Sequence, residues 1–170
     1  MTKLLAITRI IDLMNEKIGR AISWLALLMI LVQFAVVVMR YIFGLGSIFM
    51  QESIVYMHAL IFLVAAGYTL LHDDHVRVDI FYSRLTERYK AVVDLIGTLL
   101  FLMPSAVFII WMSQDYISVS WRVRESSADP SGMPYVYLLK TTIFVLAVLL
   151  LVQGISELLK SIRQFNETKP

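Results

Sequence analysis

Four separate stretches of this chain are each long and apolar enough to cross a lipid bilayer as a helix, and no other feature restricts the fold as strongly. Spanning roughly 30 Å of hydrocarbon takes about 20 mainly apolar residues in helical form. Such runs occupy about 21–43, 50–71, 91–112 and 138–159. With 59% of its 170 residues hydrophobic, the chain has more apolar side chains than a soluble domain of this length could enclose in one core. The expectation is an all-α membrane protein of one domain, residues 1–170, with four transmembrane helices. Residues 1–20 carry several charges and are followed by no small-residue cleavage site, so no signal peptide is needed to explain the N-terminus.

Orientation follows from the cations in the short connections. Lys3, Arg9, Lys17 and Arg20 precede the first run. Arg77, Arg84, Arg88 and Lys90 lie between the second and third, and Lys160, Arg163 and Lys169 follow the fourth. Arg40, Arg122, Arg124 and Lys140 fall on or near the other side. The excess of Lys and Arg marks the cytoplasmic face, so both termini are expected there.

Between the runs, residues 3–19 place Leu4, Ile7, Ile11, Met14 and Ile18 on one helical face and Arg9, Asp12, Glu16 and Lys17 elsewhere. This reads as an amphipathic helix lying along the cytoplasmic surface, or else as a cytoplasmic extension of the first span. A second amphipathic helix is expected at about 79–90, with Val78, Phe81, Tyr82, Leu85 and Tyr89 sharing a face and Asp79 placed to cap its start. The tight link Gly44-Leu45-Gly46-Ser47 makes the first two spans antiparallel neighbours. A long outer loop is expected over 113–137, carrying Trp121, Arg122, Arg124, Glu125 and the turn sequence PSGMP.

Several chemistries can be weighed against this frame. Without cysteine there are no disulfides, thiolate metal sites or thiol nucleophiles. The stretch HDDHVRVDIFY, residues 72–82, gathers His72, His75, Asp73, Asp74 and Asp79, but its spacing matches no strong metal signature and no second cluster completes a site. It reads more simply as a membrane exit followed by a helix start, its acids pairing with Arg77. His58 and His72 could face a haem only with a further ligand from another chain, because the other spans contain no histidine. Transport by this chain alone would call for ionisable groups near the bilayer centre. The span middles offer Gln33, the small run Ala65-Ala66-Gly67, and Pro104 with Ser105, while Arg40, Glu52, Asp94, Lys140 and Glu157 lie near span ends. Arg40 and Glu52 flank the tight outer link and either pair with each other, bind polar groups of a partner, or complement their own helix dipoles. A net charge of +2 suggests no nucleic-acid partner. No catalytic, cofactor-binding or metal-binding residue is expected, and the simplest reading is a non-enzymatic membrane subunit in the bilayer.

Several motifs carry a family resemblance. They are FMQESIVYMHALIFLVAAGYTLLHDDHVRVDIFY with its helix-opening glutamate and H-x-R-V-D ending, SW followed by ESS and PSGMPY, and QGISE at 153–157. In this order and topology the chain resembles the small membrane subunit, Q or DctQ-type, of the tripartite ATP-independent periplasmic (TRAP) transporters. The resemblance covers nearly the whole chain. It implies an inner-membrane complex with a large multi-span M subunit and a periplasmic substrate-binding protein that delivers an organic acid. Transport in such systems is secondary active symport, usually sodium-driven, with substrate and ions carried by the M subunit and the Q subunit serving as a scaffold. It further implies that Glu52, His75, Arg77 and Asp79 fix helix ends and contact the partner. The outer residues Trp121, Arg122, Arg124 and Glu125 are candidates for contact with the binding protein. A haem- or quinone-associated anchor subunit of an oxidoreductase and a membrane assembly factor remain alternatives.

Overall fold

The computed structural model describes residues 2–75 and 82–167, and every regular element among them is helical. Helix α1, Thr2–Tyr41, runs 40 residues without a break, about 60 Å at 1.5 Å per residue and twice the hydrocarbon thickness. Residues 3–19 are therefore the continuation of the first span, with no turn between the two. No proline interrupts this stretch. Its single glycine, Gly19, sits where an added Cβ would come within 2.2 Å of the Tyr68 ring, so the position serves close packing against the second span.

A short link with Gly44 at φ +67° leads to α2, Ile48–Val64, whose start is capped by the Ser47 hydroxyl accepting from the Met50 amide at 3.3 Å. After Ala65 the helix resumes as α3, Ala66–Leu71, and the two together make the second apolar span. As the tight link predicts, this span packs against α1. Asp73 then adopts a left-handed conformation, φ 61°, which short acidic side chains tolerate. The chain turns at 83–85 before α4, Glu87–Gly97. The Asp79 cap and residues 79–81 of the expected second amphipathic helix lie outside the described residues.

The third span is one rod in three parts: α4, a π-helical segment Thr98–Leu102, and α5, Met103–Val123. Pro104 lacks an N–H and crowds the carbonyl one turn back. The wider π turn lies in the turn just before it, which accommodates the ring inside a continuous helix. The outer loop is shorter than expected. Residues 113–123 are helical, since no glycine or proline stops the helix, and α5 ends only where Arg124 turns left-handed at φ 50°. The connection to α6, Val136–Glu167, covers 124–135 alone.

Helix α6 is the hub, touching every other described helix. A third of its most apolar window is buried, against 6% in the first and third spans, so those spans turn most of their surface away from the bundle. The buried contacts are made largely by small residues, Ala91, Ala106, Ala147, Ser113 and Ser120, which let helix backbones approach closely.

Candidate functional site

Among the described residues, two groups of charged and hydrogen-bonding side chains tie separate helices together, one at each end of the bundle. At the end that carries both termini, α1 presents Asp12, Asn15, Glu16 and Gly19, and α6 presents Gln153, Ser156, Glu157 and Lys160. Each set recurs at i, i+3, i+4, i+7, one face of a helix. The two faces meet. Gln153, fully buried, accepts from Asn15 Nδ2 at 2.7 Å and donates from Nε2 to Asp12 at 3.0 Å and Glu157 at 2.8 Å. Ser156 donates to Asp12 at 2.8 Å, and the Lys160 ammonium lies 3.0 Å from Asp12 and 2.9 Å from Glu157, one cation between two carboxylates. Asn15 is fully buried against Gly67 of α3, where an added Cβ would stand 2.5 Å from its Oδ1.

Beside this knot Glu16 bridges Arg20 at 2.6 Å and His72 Nε2 at 3.2 Å, and the His72 ring lies 4.2 Å from that of Tyr68. The same end thereby ties α1, the second span and α6 together. With Asp12, Asn15 and Glu16 turned inward, the exposed side of this part of α1 mixes apolar Leu5, Ile7, Ile10, Leu13 and Met14 with the cations Arg9, Lys17 and Arg20. Such a mixture suits the membrane surface or cover by another membrane protein.

At the opposite end the organising group is Glu52, in the first turns of α2. Its carboxylate accepts from the Ser127 hydroxyl and from the Met133 amide at 2.5 Å. It thus closes the loop 124–135 on itself, with the Ser127 amide donating to the Met133 carbonyl at 3.1 Å. Gly132 fits beneath this carboxylate, where a Cβ would stand 2.7 Å from Glu52 and closer still to Ser127. Next to this latch Glu125 pairs with Lys140 of α6 at 2.5 Å, and Lys140 lies 4.0 Å from the centre of the Tyr116 ring. The Lys140 ammonium holds the Glu125 carboxyl below the ordinary carboxylate range. Trp121 donates to Thr141 at 2.8 Å and meets Tyr137 edge to face at 4.8 Å. The Arg124 guanidinium lies over both rings, at 5.6 and 5.5 Å.

The residues singled out in the sequence divide accordingly. Glu52, Trp121, Arg124 and Glu125 are brought together at the loop end, and Arg122 is exposed beside them. Arg40 is exposed and forms no ion pair with Glu52, whose carboxylate is taken by the loop instead. His75 is exposed, and His72 is turned to Glu16, at 3.2 Å, and to the Tyr68 carbonyl, at 3.1 Å. Arg77 and Asp79 lie outside the described residues. Among the described residues no group of three or more His, Asp or Glu is placed to hold a metal ion. The knot at the termini end was missed in the sequence, although the matching i, i+3, i+4, i+7 spacing on α1 and α6 was visible there.

Both groups are built to hold helices and a loop in fixed relation. The family model described as "Tripartite ATP-independent periplasmic transporters, DctQ component" matches residues 29–164. That span contains the whole loop-end latch and the α6 half of the knot. No curated protein and no solved structure gives a match.

Proposed function

Since the chain belongs to the DctQ family, the small subunit of a TRAP transporter that works with an M subunit and a periplasmic binding protein, we propose that it is the non-catalytic scaffold of the complex. In this reading the M subunit carries the substrate, an organic acid handed over by the binding protein, in symport with sodium. The observation that carries the proposal is the distribution of polarity. Among the described residues the paired charges lie toward the helix ends, and away from the knot and the latch the buried side chains are alanines, serines, Thr142, Met57 and Leu149. A path for an ion or a carboxylate needs ionisable groups near the bilayer centre, facing inward. Rigid ends joined by tightly packed helices are instead what a fixed frame requires.

Both termini lie on the cytoplasmic side in this proposal, on the strength of the Lys and Arg asymmetry. The knot of Asp12, Asn15, Gln153 and Lys160 then braces the cytoplasmic end, and the Glu52 latch presents the loop 124–135 to the periplasm. Exposed Arg122, in the last turn of α5, and Arg124, at the start of that loop, favour this end as the contact for the binding protein, and reversing both charges should lower uptake by the complex. The redox-anchor alternative draws no support from His72, whose ring nitrogens are engaged within the bundle.

The test is uptake in proteoliposomes. The chain alone should give no sodium-driven accumulation of any organic acid, whereas the chain with its M subunit and binding protein should. Accumulation by the chain alone would contradict the scaffold role.

A further inference from the structure

The outward faces of the spans are not alike. On the third span the exposed residues within 91–112 are apolar except Ser105, the exposed polar Gln114, Asp115 and Ser118 falling in its last turns toward the loop end, and the exposed residues of α6 within 138–159 are Leu138 and Ile155 alone. Such faces need nothing but lipid around them. The second span differs. Beyond Ile48 and Phe49 in its first turn, its exposed residues up to Leu71 are Gln51, Val55, His58 and Phe62, which recur at one turn apiece and form a single stripe, with the His58 and Phe62 rings stacked 6.2 Å apart. On α1, Gln33 is also exposed. Gln33 and His58 lie about two to three turns from the linked ends of the two helices, at similar depth, and His58 is close to the middle of the 24-residue span.

An amide or imidazole directed into hydrocarbon leaves its hydrogen-bonding groups unmet, and such side chains in membranes face protein. Histidine and glutamine are also among the residues that bond one transmembrane helix to another. We propose that the stripe Gln51, Val55, His58 and Phe62, together with Gln33 of α1, is the face on which a helix of the M subunit packs. That helix supplies a hydrogen-bonding side chain at mid-membrane depth opposite His58 and Gln33, and the apolar face of the third span is left to lipid. This placement rests on the family assignment for the identity of the partner and on the polar pattern for the choice of face.

Photocrosslinking in the assembled complex tests it. Benzoylphenylalanine is placed singly at Val55, Phe62, Leu100 and Phe108 of the full chain, co-expressed with its M subunit and illuminated in native membranes. The expected result is crosslinking to the M subunit from Val55 and Phe62 and not from Leu100 or Phe108. Crosslinks from Leu100 and Phe108 alone, or crosslinks from Val55 and Phe62 only to lipid or to a second copy of this chain, would overturn the assigned face while the complex itself stood. If the M subunit does not copurify with the unmodified chain, the partner, and with it the proposal, falls at the earlier step. As a second readout, His58→Leu makes the stripe more compatible with lipid, yet it should reduce the M subunit recovered with the tagged chain about fivefold, the loss of one interhelical hydrogen bond. Phe108→Leu should leave recovery unchanged. Undiminished recovery with His58→Leu would also count as refutation.

Discussion

Gln153 is the side chain whose loss should be felt most, because among the described residues it alone connects Asn15, Asp12 and Glu157. Gln153→Ala would leave the Asn15 amide and the Asp12 carboxylate short of partners inside the bundle. The expected cost is about 2–4 kcal/mol, read as a lowered melting temperature of the detergent-solubilised protein. Two glycine substitutions should differ in sign. Gly67→Ala drives a methyl into Asn15 and should destabilise by about 1–3 kcal/mol. Gly97→Ala meets nothing within 4 Å inside a helix and should be neutral or stabilising by up to about 1 kcal/mol in the same thermal assay. At this scale the sequence was partly legible. Glu52 stood out as a lone acid at a helix start, but its partners, Ser127 and the Met133 amide, are 75 and 81 positions away, beyond any local pattern. Asp12 and Glu16 are visible on the polar face of an amphipathic pattern, which points to a helix lying along the membrane surface; the structure instead turns them toward α6 and the second span, where they meet Gln153, Ser156, Lys160 and His72.

The elements were legible to the extent that apolar length specifies them. All four runs became helices, and the tight link made neighbours of the first two. The ends were not legible, because helix continuation depends on stop signals that this chain lacks. No proline separates 3–19 from the first span, Gly19 at the junction stays helical where it packs against Tyr68, and no glycine or proline falls between Pro104 and Pro130. The turn that finally ends α5 is made by Arg124, an arginine in a conformation usually left to glycine. Holding that turn is the task of the latch, so Glu52→Ala should loosen 124–135. Trypsin cleavage at Arg122 and Arg124, followed by fragment mass, should become several times faster while the spans stay protected. The Glu125 pair adds a pH dependence. A carboxyl held below its unfolded value contributes stability that is present above the ordinary carboxylate range and lost as pH falls through the folded value. Loop protection should therefore be constant through neutral pH and decline only on acidification, and Glu125→Gln should shrink that decline to the part carried by the Glu52 latch.

For the whole molecule, the arrangement is a frame with two fastened ends and faces that suit different neighbours. Absence of cysteine makes its orientation directly measurable. In intact cells with a permeabilised outer membrane, an impermeant maleimide should label Asp129→Cys at once and His75→Cys only after the inner membrane is broken. The opposite order would invert the proposed topology. In the proposed role the polar groups hold helices in register, and the transport path belongs to the M subunit. The most direct measurement is to extract the tagged chain from its native membrane in mild detergent and identify what accompanies it by mass spectrometry and absorbance. The account predicts a stable complex with the large M subunit and no haem band. The chain emerging alone, or with redox subunits and a haem absorbance, would contradict it.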